Sequence, residues 1–187
     1  MRWQIAGLLA LGLWACTDPA GEADCVCGEA ASAPVVDSAT LAFLSKAKAA
    51  HQQADLAEAE DKVGLAVQRL GAIVDGPRPG GERAEVREVL ADALARRADL
   101  RSRQGDYRGA LGDVDQGLLF VPRRTLFRGR LMEVRGAVEQ RRFEELELKG
   151  DAAGAKAAKR RAIEALETAV SIQDEVIQAA LGEPEAP

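Results

Sequence analysis

Reactive side chains are scarce: in 187 residues there is one histidine, His51, one tyrosine, Tyr107, and three cysteines, all before residue 28. A lone histidine leaves no Ser-His or Cys-His partnership within a motif. It also leaves no His pair at metal-ligand spacing. Gly80-Gly81 is too short for a phosphate-cradling loop and lacks the following Lys-Ser/Thr. Glu144, Glu145 and Glu147 could be drawn as paired carboxylates, but acids on a charged helix read as a solvated face. The sequence therefore predicts no enzyme, no cofactor and no metal site. Aromatics make up only 4% of the chain and long β-branched runs are missing, which excludes an all-β or doubly wound fold. The one long apolar run, Trp3 to Cys16, covers 14 residues. That is short of the roughly 20 a helix needs to cross the hydrocarbon core.

What is present begins with that run. Met1-Arg2 followed by a short apolar segment reads as a secretory signal. Its end, Leu13-Trp14-Ala15-Cys16, resembles the bacterial lipoprotein lipobox, with an aliphatic residue at minus three, a small one at minus one and the Cys that is lipidated. The resemblance implies that residues 1–15 are removed and that Cys16 carries the lipid. Loss of Arg2 then takes the net charge from -5 to -6. Thr17, not Asp, follows Cys16, which points to the outer membrane where sorting follows the enterobacterial pattern. The alternative is an ordinary cleaved signal with a chance Cys. Either way the expected place is the bacterial cell envelope, with the body in the periplasm or at the cell surface.

Residues 16–37 read as a flexible tether. From Thr17 onward the segment holds five acids, Asp18, Glu22, Asp24, Glu29 and Asp37, and no base, with Pro19 and Pro34. It buries too little apolar surface to fold alone, and a flexible chain of this length spans roughly 25 Å. Cys25 and Cys27 form a Cys-Val-Cys pair within it. Either a local disulfide or an intermolecular bridge fits an oxidising compartment. A redox pair would need an electropositive neighbour to lower a thiol pKa, and the local sequence is acidic. Zinc would need four ligands, and His51 lies far off on a helix.

The remaining residues, 38–181, read as helices, with 182–187 as a tail. Within 91–122, Leu94, Ala98, Ala110, Val114 and Gly117 recur at helical spacing around a Gly105-Asp106-Tyr107 break, and Pro122 closes the segment. A small residue late in the first helix, Ala early in the second and Pro at its end resemble one tetratricopeptide repeat. The resemblance implies an all-α fold: antiparallel helical hairpins stacked as a short tetratricopeptide-like α-solenoid of about six helices. Ser38 is expected to cap the first helix, with Thr40, Phe43, Ala47, Ala50 and Ala54 as its stripe. Asp55 is expected to cap the second, with Leu56, Ala59, Val63, Ala66, Leu70 and Ile73 along one seam to Val74. After the 76–81 loop, Glu82 starts a helix carrying Val86, Leu90, Leu94 and Ala98. Arg97 takes a place the family usually gives to Leu and is expected to snorkel. A fifth helix runs from Thr125 to Lys149, and a sixth follows Gly150-Asp151 to Leu181, stopped by Gly182 and Pro184. On this alignment Ala59, Ala110 and Ala162 mark the three hairpins, 51 and 52 residues apart.

Charge is uneven along the chain. From Arg96 to Arg161 there are 17 bases against 10 acids, whereas 162–187 has six acids and no base. Arg124, Arg128, Arg135 and Arg142 are spaced to share one helix face. They serve either as ion-pair partners of neighbouring helices or as a basic groove. Together with Asp99, Ser102 and Arg103 they are the expected partner-binding residues. Ala95 and Asp99 do not match the Lys and Asn with which some tetratricopeptide domains clamp a chaperone carboxylate. The expected partner is another envelope protein or peptide, acidic in character, with the membrane held through the N-terminal lipid. Nucleic acid is disfavoured, since no aromatics are interleaved with the bases. The function expected is a membrane-anchored binding or assembly scaffold. A structural spacer without a dedicated groove and a thiol-redox role of Cys25 and Cys27 are the alternatives.

Overall fold

The structure, a computed structural model, describes residues 37–80 and 83–182. The expected signal segment, the lipidation site Cys16, the Cys25/Cys27 pair and the end of the tail lie outside them. Among the described residues there are six helices and no strand: α1 Ser38–Ala59, α2 Val63–Val74, α3 Ala84–Arg103, α4 Tyr107–Phe120, α5 Leu126–Leu148 and α6 Ala152–Leu181. None of them is long and apolar enough to cross a membrane.

Short polar residues cap the starts of α1, α4, α5 and α6, whereas α2 and α3 follow Lys62 and Arg83 without a side-chain cap. The carboxylates of Asp106 and Asp151 accept from Gly109 N and Gly154 N at 2.9 Å, satisfying donors that the first turn leaves free. Thr125 caps α5 in the same way, and Gly182 ends α6 in the left-handed region, with φ 63°. At the start of α1 the cap is Asp37, not Ser38: it accepts from the backbone N–H and the hydroxyl of Thr40, both at 2.9 Å.

The first hairpin turns later than expected. Asp55 does not cap a helix but lies inside α1, and Leu56 and Ala59 face solvent. The reversal falls at Asp61, whose φ is 57°; Gly105 and Gly150 hold the same place in the next two turns, with φ 80° and 76°. Val63, Tyr107 and Ala152 therefore open the second helices, 44 and 45 residues apart. The marker alanines are Ala66, Ala110 and Ala155, all buried, in place of the expected Ala59 and Ala162.

Each hairpin closes on itself, and successive hairpins meet through α2–α3 and α4–α5. The first helices also touch in series, α1 with α3 and α3 with α5, whereas the second helices have no comparable contact. Phe43, Ile73, Leu90 and Leu94 join α1, α2 and α3; Ala98, Val114, Leu131 and Val138 join α3, α4 and α5. Alanines let the helices approach closely where aromatics are few. α6 packs on α5 through Ala155, Ala158, Ala162, Ala165 and Ala169.

Candidate functional site

Charged residues recur at helical spacing on the sides of α1, α3 and α5 that face one another. On α3 these are Asp92, Arg96, Asp99 and Arg103, and on α5 Arg130, Glu133 and Arg141. Residues four or three apart share a helix face, so three rows of charge meet across two helix interfaces. Arg96 donates to the His51 carbonyl at 3.3 Å and pairs with Asp55 and Glu58 of α1. Arg103 donates to Glu58 at 2.8 Å. Toward α5, Asp92 lies 3.2 Å from Arg130 Nε, and Asp99 pairs with Arg141 at 2.8 Å. Arg141 also donates to Ser102 Oγ at 2.6 Å, while that hydroxyl donates to the Asp99 carbonyl at 2.7 Å.

These pairings leave a shallow trough of ≈ 340 Å³ between the rows. Its floor is apolar, from Ala95, Leu100, Val134 and Ala137, and its walls carry Glu58, Arg96, Asp99, Arg130 and Glu133. Burial alone would push the Glu58 carboxyl up, but the guanidinium groups of Arg96 and Arg103 outweigh it and hold it below the ordinary 4.5. Arg96 is correspondingly raised against its own burial by Glu58 and Asp55. Burial pushes the imidazole of His51 below 6.5, partly offset by Asp92 at 3.9 Å. His51 is thus half-buried at the edge of this network, not a simple surface residue. Charges of both signs thus stand around an apolar floor.

The structure divides the sequence-predicted residues into two groups. Asp99, Ser102 and Arg103 belong to the α1/α3/α5 side, with Ser102 fully buried beneath it. The arginine row lies on the other side of α5. Arg124 precedes the helix and bonds Ser171 at 2.7 Å and Glu175 on α6. Arg128 donates to the Val121 carbonyl at 3.2 Å, Arg135 pairs with Asp115 of α4, and Arg142 lies 4.0 Å from Glu139. Arg130 and Arg141, which complete the trough side, were not singled out from the sequence. Their signal was the seven-residue offset Arg96–Arg103 on α3 facing Arg130, Glu133, Ala137 and Arg141 on α5.

A second charged group lies inside the body. Arg97 does not snorkel: it is buried and donates to both carboxylate oxygens of Asp113, at 2.9 and 2.7 Å, and to Asp75 at 2.7 Å. Arg101 adds two 3.0 Å bonds to the same Asp113 carboxylate. Burial opposes the Arg97 charge, but Asp113 and Asp75 more than compensate and raise its pKa. This group ties α3 to α4 and to the end of α2, with Arg97 and Asp113 buried and Asp75 at its exposed edge.

No known protein family matches the chain, and neither a curated protein nor a solved structure shows significant similarity to it.

Proposed function

We propose that the chain is a lipid-anchored envelope protein whose three tetratricopeptide-like hairpins hold a segment of a partner polypeptide in the trough between α1, α3 and α5. The observation that carries this reading is the trough itself: small apolar side chains on its floor and paired charges of both signs on its walls. Apolar side chains of a bound segment would seat on Ala95, Val134 and Ala137, and its polar groups would meet Arg96, Arg130 and Glu133. Of these, Glu133 has no ion-pair partner among the described residues and is free to meet a cation of the partner.

The stacking supports a repeat-like body. First helices touching in series while second helices do not is the one-sided arrangement that creates an extended face for binding in helical repeats. Asp99 and Arg103 belong to the proposed binding face. Arg124, Arg128 and Arg135 serve the hairpin stack instead, through Glu175, Val121 and Asp115, while Arg142 lies beside Glu139 of its own helix. The anchor rests on the sequence Leu13-Trp14-Ala15-Cys16.

Two substitutions test the two halves of the proposal. Ala137→Trp fills the trough floor and should abolish recovery of a partner from detergent-solubilised envelopes while leaving helical content unchanged. Cys16→Ser should remove fatty-acid labelling and release the protein from the membrane fraction. Undiminished recovery with Ala137→Trp would contradict the trough, and unchanged labelling with Cys16→Ser would contradict the anchor.

A further inference from the structure

The last helix carries an apolar stripe left partly exposed among the described residues. α6 is the longest helix, 30 residues, and its buried side against α5 is largely alanine. On the flank beside it Ile163, Leu166, Val170 and Ile177 are 48%, 37%, 55% and 51% exposed, and Leu166 at the inner edge of this stripe packs against Gly136 of α5. Ile163, Val170 and Ile177 are seven residues apart, with Leu166 three after the first. A strict seven-residue apolar repeat is the pattern of a helix that packs against another helix along a narrow seam, with β-branched side chains at one of its two core positions. A depression of ≈ 600 Å³ lies at Leu166 and Val170 in its middle, bordered by Glu167, Ser171, Asp174 and Glu175.

The charges beside the stripe say what kind of helix fits. The first half of α6 carries Lys156, Lys159, Arg160 and Arg161, with Glu164 lying 3.7 Å from Arg160, and the second half Glu167, Asp174 and Glu175. A helix basic at one end and acidic at the other is complementary to its own reverse. A two-fold axis that sets Leu166 of one copy against Val170 of the second brings Arg160 to within two residues of the position opposite Asp174 of the second copy, twice over. Parallel pairing would instead set like charges side by side. An anionic membrane surface is disfavoured as the occupant, because the stripe is flanked in its acidic half by carboxylates and no base. Asp174 forms no ion pair within the chain among the described residues, so its charge is free for such a contact.

We propose that α6 is a self-association surface on which two copies of this chain pair antiparallel through Ile163, Leu166, Val170 and Ile177. Such an isologous contact closes on itself at two copies. A seam one helix wide buries less than the roughly 1,600 Å² of a standard interface, so the pairing is weak and depends on local concentration. It leaves the α1/α3/α5 trough of both copies open and does not depend on what the trough binds.

The test is photo-cross-linking in cells, with a photoreactive amino acid in place of Val170 in the full chain, and isotopically distinct copies co-expressed. The expected result is a two-copy product joined within α6 between light and heavy chains. Asp174→Arg should reduce that product at least about fivefold, and adding Arg160→Glu should restore it. No two-copy product, or cross-links only to a different protein or to lipid, would overturn the proposal. Failure of the charge exchange to restore the product would overturn the antiparallel arrangement.

Discussion

At the scale of single residues, the body depends on a few buried charges whose partners are fixed. Asp113 accepts from two arginines while being only 3% exposed. Removing one partner of such a group strands the other, so Asp113→Ala should destabilise the domain by about 3–5 kcal/mol in urea unfolding. Ala158 holds the place of Asp113 in the third hairpin, so an apolar side chain is accommodated at the equivalent position. Arg97→Leu combined with Asp113→Ala should therefore lose far less than either single change. His51 gives a pH signature. Its folded-state pKa lies below the ordinary 6.5, so the unfolded chain takes up the proton first. The stability tied to neutral His51 is whole above pH 6.5 and falls as the pH drops from there toward the lower folded value. The Glu58 contribution is lost only below 4.5, in a separate range. His51→Gln should flatten the first decline in melting temperature and leave the second. None of this was legible in the sequence: Arg97 read as a snorkelling side chain, because its partner lies 16 residues on and becomes a neighbour only once α3 and α4 close.

At the scale of elements, helices with a glycine in the turn were legible and the one without was not. Thr125, Lys149, Leu181 and Gly182 mark the ends of α5 and α6 to within a residue, because Gly150 supplies the left-handed backbone and Asp151 the cap. The first turn has Asp61-Lys62 where the others have Gly-Asp. Without the glycine signal, Asp55 looked like a cap although six buried positions of α1 run on past it to Ala57. Asp61 at φ 57° is strained in a way that glycine is not. Asp61→Gly should stabilise the domain by about 0.5–1 kcal/mol, whereas Gly105→Ala should destabilise it by about 1–2 kcal/mol. Equal effects of the two changes would show that the three turns are not equivalent.

At the scale of the whole molecule, the corrected turn changes the repeat. With Ala66, Ala110 and Ala155 as equivalent positions, the hairpins recur every 44 and 45 residues, not every 51 and 52 as expected from the misplaced first turn and from Ala162 as the third marker. An all-helical body was legible from composition and periodicity. The trough was not, because it is assembled from α1, α3 and α5, and a sequence pattern on one helix cannot show which face a helix 30 residues away will present. For the arginine row the spacing left two readings open, and the structure shows the first for Arg124 and Arg135, which pair with Glu175 of α6 and Asp115 of α4. The central claim is that a partner lies between α1, α3 and α5. It is tested most directly by placing a photoreactive residue at Ala137, on the trough floor, and in parallel at Leu119, 81% exposed on α4. The account predicts one discrete cross-linked partner from Ala137, lost with Arg130→Glu, and none from Leu119. The same products from both positions, or none from Ala137, would contradict it.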